Sequence, residues 1–382
     1  MINISYEVWE EACTLIKDYS KKYGKFYMQL YPFYNFNNLN NISSKNFFDS
    51  YVRTGAIFAN YGNFDRIDNY CRKSDGSYRK RFLLTPIMYI YYIAIGLHFS
   101  KKYNQKRNKE IYVKYGGDFE NGDLHYRNSY SQFVSFVSNT ALEYNYYYKL
   151  DISDCFNKIN IDLLTNLLSN SLQFNQKEQM IFKEFTKWCG DGNFPQTECG
   201  VTSSYLATII YFDIIDNRLF NLLSKEKAIK RFKICRYVDD LYILLDIDGR
   251  VNVDKVENRI SSIYENLIYE YNLTINRKKS SFKTSDNIFS DLKSFSILED
   301  YEENIEISPE YKNHLSEFLN ELIKSAADGS INYLKYMDLI ERYFESPESI
   351  YHAGQILYIL IYKNIGWLKE TRLIKKITKI ID

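Results

Sequence analysis

Two adjacent aspartates, Asp239 and Asp240, lie between two apolar runs of strand composition, Phe232–Val238 and Leu241–Leu245. Neighbouring side chains on a straight strand point to opposite faces, so one of the two carboxylates would enter the core without a partner. A tight hairpin turn removes this conflict, because aspartate tolerates turn conformations and the flanking strands can still pair. We therefore predict a β-hairpin with the acid pair at its tip; a solvated acidic turn would give the same pattern.

A third acid, Asp151, stands near the end of a predicted strand, Tyr146–Ile152, and the aromatic residue Phe156 follows it. Strand ends beside a hairpin tip can bring carboxylates from distant sequence positions together. Like charges about 4 Å apart repel by about 4 kcal/mol at an effective dielectric constant of about 20, so such a cluster must bind cations or take up protons. Two divalent ions about 3.5–4 Å apart would clamp the attacking and leaving oxygens of a phosphoryl transfer. Because Mg2+ prefers hard oxygen ligands, we expect two Mg2+ ions, with Mn2+ as the alternative.

Four segments, in the same order along the chain, resemble motifs of the reverse transcriptases. Arg81–Pro86 resembles the fingers motif Arg-x-x-x-x-Pro, whose Arg contacts the incoming triphosphate. Asp151–Phe156 is similar to the first palm motif, Asp-x-x-x-x-aromatic, and Tyr237–Asp240 to the catalytic Tyr-x-Asp-Asp hairpin. Leu273–Ser280 resembles the next motif, Leu-x-Leu-Asn-x-x-Lys-Thr. Together these matches are highly specific, and they extend over about residues 75–300.

The resemblance implies roles for the acids and for the aromatic residue beside them. Asp151, Asp239 and Asp240 would be catalytic, and the same three residues together with Ile152 would be the metal ligands. A primer hydroxyl would then attack the α-phosphate of a deoxynucleotide in line. The ring of Phe156 would leave no room for a 2′-hydroxyl and so select deoxynucleotides; its ordinary alternative is a core aromatic.

The resemblance also implies contacts to the nucleotide and the primer from outside the acid cluster. Arg81 and Lys80 would hold the triphosphate, since guanidinium donors suit phosphate oxygens. Lys279 would stabilise the leaving pyrophosphate or act as a general acid. Tyr237 would lie near the primer end, as primer grip or as support between fingers and palm. Solvated surface charges and ordinary strand packing are the alternatives for these positions.

One motif departs from the family pattern. Reverse transcriptases usually carry Pro-Gln-Gly-x-x-x-Ser before a helix that supports the nucleotide, whereas Phe194–Ser204 has the sequence FPQTECGVTSS. Aligned on Pro-Gln, Thr197 replaces the glycine; aligned on Thr-Ser, Glu198 and Cys199 take the Gln-Gly positions. By resemblance, Gln196 or Glu198 would line the nucleotide pocket, and a structural role for the loop is the alternative.

Hydrophobic periodicity predicts the elements that position these residues. A Ser5-capped helix is expected over Tyr6–Tyr19, loops and hairpins over residues 76–132, and a helical chain after Pro309. Three more helices are predicted over Ile161–Leu172, Thr202 to about Leu222, and about Val253–Tyr271. The order implies an α+β fold. By resemblance this is a right-hand polymerase with fingers and palm and a helical C-terminal thumb-like lobe. The expected divisions are an N-terminal helical extension (1–45), fingers (46–140), a palm (141–300) with a fingers-like helical insertion at about 160–195, and the thumb-like domain (301–382).

The amino-acid composition indicates which binding partners and which cellular compartment to expect. The 382 residues contain 49 Lys and Arg against 48 Asp and Glu, and basic clusters accompany 37 Tyr and 25 Phe. Basic grooves with aromatic platforms suit a phosphate backbone and stacked bases, although solvated helix faces give the same composition. The longest apolar run, Ile87–Phe99, is shorter than the about twenty residues of a membrane span. The N-terminus lacks signal-peptide features, and the six scattered cysteines include no C-x-x-C pair. We expect a cytoplasmic protein with no membrane partner.

The sequence after Asp300 resembles no RNase H, integrase, protease or maturase-endonuclease region, which favours the compact bacterial retron and defence-associated (abortive-infection) reverse transcriptases. That resemblance implies an RNA-directed DNA polymerase in antiphage defence, with deoxynucleoside triphosphates as substrates, a non-coding RNA as template, a DNA product and a homo- or hetero-oligomeric state. Template-independent or protein-primed DNA synthesis by the same site is one alternative. A non-catalytic RNA-binding scaffold is another.

Overall fold

The computed structural model describes residues 2–24, 27–34, 39–60, 66–72, 78–103, 107–292, 317, 320–325 and 327–328. The chain divides into two compact units, one formed by Met1–Asn69 with Arg81–Leu292 and the other by Tyr70–Lys80 with Lys293–Asp382. Of the predicted C-terminal lobe, residues 320–325 are helical, and most of residues 301–382 lie outside the described residues. The predicted boundaries between extension, fingers, palm and thumb stay predictions.

A five-stranded sheet in the first unit forms the scaffold of the candidate site. Two further strands precede it in the chain. The strands are β1 (Ile67–Arg72), β2 (Tyr78–Leu83), β3 (Ile111–Lys114), β4 (Tyr146–Leu150), β5 (Ile229–Tyr237), β6 (Asp240–Ile247) and β7 (Ser281–Thr284). The sheet has the order β3-β5-β6-β4-β7, with β3 parallel to β5 and the other pairs antiparallel. Antiparallel pairing of β4 with β6 brings the two predicted acid-bearing strands side by side.

Helices make up most of the remaining described chain. They are α1 (Tyr6–Tyr23), α2 (Tyr31–Tyr34), α3 (Leu39–Ile42), α4 (Lys45–Phe47), α5 (Ile57–Asn60), α6 (Pro86–Lys102), α7 (Tyr126–Ala141), α8 (Cys155–Lys158), α9 (Ile161–Leu172), α10 (Gln176–Cys189), α11 (Val201–Tyr205), α12 (Phe212–Leu223), α13 (Val253–Tyr269) and α14 (Ile288–Leu292), with π-helical turns at Phe48–Val52 and Leu206–Tyr211 and a 3-10 turn at Ser285–Asn287. The α+β prediction is confirmed.

The two faces of the sheet pack against different helices because strand side chains alternate. Ile234 and Ile243 lie in the large core with apolar residues of α12 and α13. Cys235 and Tyr242 lie in a second core with Phe133 of α7. Asp240 is two residues before Tyr242, so its side chain starts from the face that carries the second core.

Several predicted helices form as expected. The Ser5 side chain caps α1 by accepting a hydrogen bond from the Val8 N–H at 3.5 Å, and α9 has the predicted bounds. The expectation of loops and hairpins over residues 76–132 is wrong for Pro86–Lys102 and from Tyr126 onward, because both stretches are helical. The first of these helices is buried on all sides from Met88 to Phe99. Within the described part of the chain, no helix combines the length and apolarity needed to cross a membrane.

Candidate active site

The acid hairpin is the first component of the site. Strand β5 ends at Tyr237, which pairs with Asp240, so Val238 and Asp239 form a two-residue loop. The predicted hairpin is confirmed, with Asp239 in the turn and Asp240 as the first residue of β6. Val238 has a φ of 53°, in the left-handed region that a β-branched residue avoids. The turn therefore holds its backbone in a strained conformation that its surroundings must stabilise.

Strand register brings the third acid to the same place. Leu150 of β4 pairs with Leu241 of β6, so the next position, Asp151, lies opposite Asp240. This proximity has electrostatic consequences. Burial, followed by repulsion from Asp239, raises the pKa of Asp151. Burial, followed by repulsion from Asp239 and then from Asp151, raises the pKa of Asp240 to about 7.

The segment Leu273–Ser280 fixes the backbone on either side of Asp151. The Asn276 N–H donates to the Asp151 carbonyl at 2.8 Å, and the Asp151 N–H donates to Ser280 Oγ at 3.2 Å. Ile152 forms an antiparallel bridge with Ile275. A hydrogen bond from the Asn276 side chain favours the charged form of Asp151 and lowers its pKa against the larger effect of burial. This resembled motif therefore positions the first acid.

Two lysines balance part of the negative charge. Lys279 and Lys149 each lower the pKa values of Asp151 and Asp240. Lys149 lies on β4 opposite Tyr242, with its Nζ 5.6 Å from the centre of that ring. The predicted role of Lys279 at the pyrophosphate stays a prediction, and the structure places this residue beside the acids.

The donor set suits a hard divalent cation, since carboxylate oxygens are the ligands that Mg2+ prefers. Among the residues that the structure describes, no three His, Cys, Asp or Glu side chains already form a metal-binding group. Asp151, Asp239 and Asp240 could hold Mg2+ after side-chain rotation, with substrate phosphates and water completing the coordination. The main-chain carbonyl is the group that Ile152 could contribute.

The predicted nucleotide-selecting residues meet on a neighbouring surface. The Phe156 ring lies 5.9 Å from the Phe194 ring, centre to centre. Gln196 Nε2 donates to Asn157 Oδ1 at 3.5 Å, and the Phe82 N–H donates to the Gln196 carbonyl at 2.9 Å. The loop that departs from the family pattern is thus attached both to the helix carrying Phe156 and to the end of β2.

Glu198 is buried and faces the N-terminal part of the chain. Its carboxylate accepts hydrogen bonds from the backbone N–H groups of Gln29, at 2.9 Å, and Met28. Burial raises the pKa of Glu198, while these bonds and the nearby Arg81 guanidinium lower it. The Gln29 side chain also bonds both main-chain groups of Leu84, at 2.8 and 2.6 Å. Sequence reasoning gave no signal for Gln29, which lies far from every recognised motif.

Tyr237 pairs with Asp240 in the hairpin, and its side chain contacts helix α7. The Tyr237 hydroxyl donates to the Tyr126 carbonyl at 3.3 Å, and its ring packs edge-on against Tyr130 at 4.9 Å. Burial raises the pKa of Tyr237. Lys80 belongs to the second compact unit, whereas Arg81 belongs to the first with the acids. Their triphosphate roles stay predictions.

Two family models match consecutive segments of the chain, which together extend from residue 118 to residue 382. Residues 118–306 match the reverse transcriptase (RNA-dependent DNA polymerase) family, and residues 307–382 match a domain of unknown function (DUF8609). No curated protein matches the chain. The matched span contains Asp151, Phe156, Asp239, Asp240 and Lys279.

Similar solved structures include telomerases of two Candida species. A Candida albicans telomerase in complex with a TWJ fragment of telomeric RNA has 12% identity and a TM-score of 0.38, over 86% of this chain and 63% of that one. An apo telomerase from Candida tropicalis has 10% identity and a TM-score of 0.35, over 88% of this chain and 67% of that one. This chain therefore spans less than two thirds of the first of these proteins. The family match therefore places a reverse transcriptase domain at residues 118–306. The reverse transcriptases are RNA-directed DNA polymerases, a class of nucleotidyltransferases.

Proposed function

We propose that this chain synthesises DNA on an RNA template, using divalent cations held by Asp151, Asp239 and Asp240. The observation that carries the proposal is the strand register, which sets Asp151 opposite Asp240 with Asp239 in the adjoining turn. The two strands that supply these acids are remote in sequence and paired in the sheet. A solvated acidic turn would require neither the buried Asp151 nor its two supporting hydrogen bonds.

The residues then divide the work of one nucleotide addition. The primer hydroxyl attacks the α-phosphate of a deoxynucleoside triphosphate, so that a new P–O bond forms as the bond to pyrophosphate breaks. Bound Mg2+ would promote loss of the hydroxyl proton and neutralise charge on the phosphate oxygens. Asp151 and Asp239 would hold the cations, with Asp240 as the third ligand. Phe156 faces the sugar, and Lys279 and Arg81 act on the phosphates.

Extension of a DNA primer annealed to an RNA template tests the proposal. We expect Asp239→Asn combined with Asp240→Asn to abolish incorporation without loss of the folded state. Asp248→Asn is the matched control. Asp248 follows the end of β6 that is farthest from Asp240, and its carboxylate binds the Arg250 side chain. Undiminished synthesis by the double variant would refute the assignment.

The biological setting is a further part of the proposal and is supported by the sequence resemblance to retron and defence-associated enzymes. We place the protein in the bacterial cytoplasm, acting against phage with a non-coding RNA, alone or in an oligomer. Sequencing the nucleic acid that copurifies with the protein tests this: a discrete structured RNA supports it, and a random RNA sample contradicts it. DNA covalently attached to the purified chain would instead indicate protein-primed synthesis. RNA binding with no nucleotide incorporation would indicate a scaffold.

A further inference from the structure

Behind the acid hairpin, four charged side chains form a buried network. The Arg236 guanidinium bonds the Asp216 carboxylate three times, from Nε at 2.8 and 2.9 Å and from Nη2 at 2.6 Å. Arg107 Nη2 lies 3.3 Å from the same carboxylate, and Arg107 Nε lies 3.5 Å from Asp213 Oδ1. Both Arg236 and Asp216 have 0% of their surface exposed. Arg107 and Asp213 are 8% and 4% exposed, so the network of two cations and two anions is buried.

One end of the network reaches the catalytic turn. Arg236 Nη1 donates to the carbonyl of Val238 at 3.3 Å. Val238 is the residue with left-handed backbone, and its carbonyl is joined directly to the nitrogen of Asp239. The plane of the Arg236 guanidinium is itself fixed, because it lies 4.2 Å from the centre of the Phe212 ring and bonds the Tyr264 hydroxyl at 3.4 Å.

The other end reaches the helix that follows the altered loop. Arg107 Nη2 donates to the Thr208 carbonyl at 2.8 Å, inside the π-helical turn Leu206–Tyr211. A π-helical turn breaks the ordinary ladder of main-chain bonds, so a buried carbonyl there benefits from an outside donor. The network therefore ties the turn that carries Asp239 to the helix that begins after Gly200.

Buried ion pairs are a poor way to gain stability, because well-packed apolar side chains often do as well or better. The burial of these four charges is therefore better explained by the geometry that they fix than by a gain in stability. A planar, multiply bonded guanidinium can hold one carbonyl at a fixed point, which a single apolar contact cannot do.

We propose that Arg236 is a positioning residue. It holds the strained Val238–Asp239 turn so that the Asp239 carboxylate points toward Asp151, and Asp216 with Arg107 fixes Arg236 in turn. This inference rests on the proposed function, because the geometry matters only if Asp239 binds the catalytic cation.

Arg236→Lys tests the inference, since lysine keeps the charge beside Asp216 and loses the fork that reaches the Val238 carbonyl. Leu219→Ala is the matched control for loss of stability, because Leu219 is fully buried on the same helix as Asp216 and lies outside the network. Three quantities are measured for each protein: the melting temperature, the binding of Mn2+ by electron paramagnetic resonance, and kcat and KM in primer extension.

We expect Arg236→Lys to lower kcat by about 10- to 100-fold and to weaken Mn2+ binding several-fold, as small misplacements of a catalytic group do. The KM for the nucleotide should stay within about twofold, because the lost bond does not touch the nucleotide. Leu219→Ala should lower the melting temperature and leave Mn2+ binding unchanged. If Arg236→Lys and Leu219→Ala behave alike while the wild type binds Mn2+ and extends primers, this inference alone is overturned. A wild type that does neither overturns the proposed function as well.

Discussion

Neutralising one acid of the cluster should stabilise the metal-free protein while it destroys activity. We expect Asp240→Asn to raise the free energy of unfolding at pH 8 in the presence of a chelator. Burial and the neighbouring Asp239 raise the pKa of Asp240 from 3.8 to about 7. A shift of about 3 units corresponds to at most about 4 kcal/mol, and we expect about 2–4 kcal/mol to be recovered. For a chain of this size this is about 4–8 °C in melting temperature.

The sign of the pH dependence follows from the raised pKa. The stability that protonated Asp240 contributes is fully present below about pH 4 and is lost as the pH rises toward 7. The difference between Asp240→Asn and wild type should therefore be near zero at pH 4, grow up to about pH 7 and stay constant above it. Thermal unfolding at several pH values in chelator measures it.

Asp248→Asn is the control, since the Arg250 side chain and N–H hold the pKa of Asp248 below its usual range and its loss brings no stabilisation. Added Mg2+ should stabilise the wild type more than Asp240→Asn, because ligand binding to the folded state adds to its stability. An Asp240→Asn protein that melts at or below the wild-type temperature at pH 8 in chelator would refute the reasoning that repulsion and burial act on this carboxylate.

Three other predictions concern the nucleotide surface and the N-terminal packing. Phe156→Ala should increase ribonucleotide incorporation by about tenfold or more relative to deoxynucleotides, measured by primer extension with each substrate; unchanged sugar discrimination would remove the gate role. Glu198→Ala should lower stability by about 1–3 kcal/mol, because it leaves the N–H group of the buried residue Gln29 unpaired, and Glu198→Gln should cost less; equal melting temperatures for all three proteins would contradict this. His125 stacks on the Tyr23 ring at 4.4 Å, and its Nε2 lies 3.0 Å from the Tyr27 hydroxyl. Burial above all lowers the pKa of His125 to about 3, so the stability that the neutral ring contributes is full above about pH 6.5 and is lost as the pH falls toward 3. Denaturant unfolding at pH 4.5 should show a loss of about 3 kcal/mol relative to pH 7.5 that is absent in His125→Asn.

The acid hairpin could be predicted from sequence because its signals are local. Apolar runs on both sides of Asp239 and Asp240 fix two strands, and the conflict between strand alternation and two adjacent charges fixes the turn. The helix Ile161–Leu172 is similarly local, since its leucines recur with helical spacing. The pairing of Leu150 with Leu241 depends on how the whole sheet is assembled. The resemblance to a family was therefore needed to predict that Asp151 lies beside the hairpin.

Other elements left no periodic signal. Helix α6 is buried on all sides, so its apolar residues form a continuous run without the spacing that distinguishes a helix from a strand. Strands β3 and β7 have four residues each, too few for a pattern. Arg236 and Asp216 are twenty positions apart on a strand and a helix, and their pairing requires both elements to be in place.

The altered loop shows how a departure from a family pattern acquires meaning once distant contacts are known. Aligned on sequence alone, Glu198 takes a position expected to touch the nucleotide. In the folded chain its carboxylate accepts the N–H groups of Met28 and Gln29, which lie more than 160 positions earlier. Without the Glu198 carboxylate, the segment around Gln29 would lose this attachment to the loop. We therefore expect the main chain of the loop, rather than the Glu198 carboxylate, to face the nucleotide. The N-terminal segment around Gln29 would then support the loop from the side away from the nucleotide.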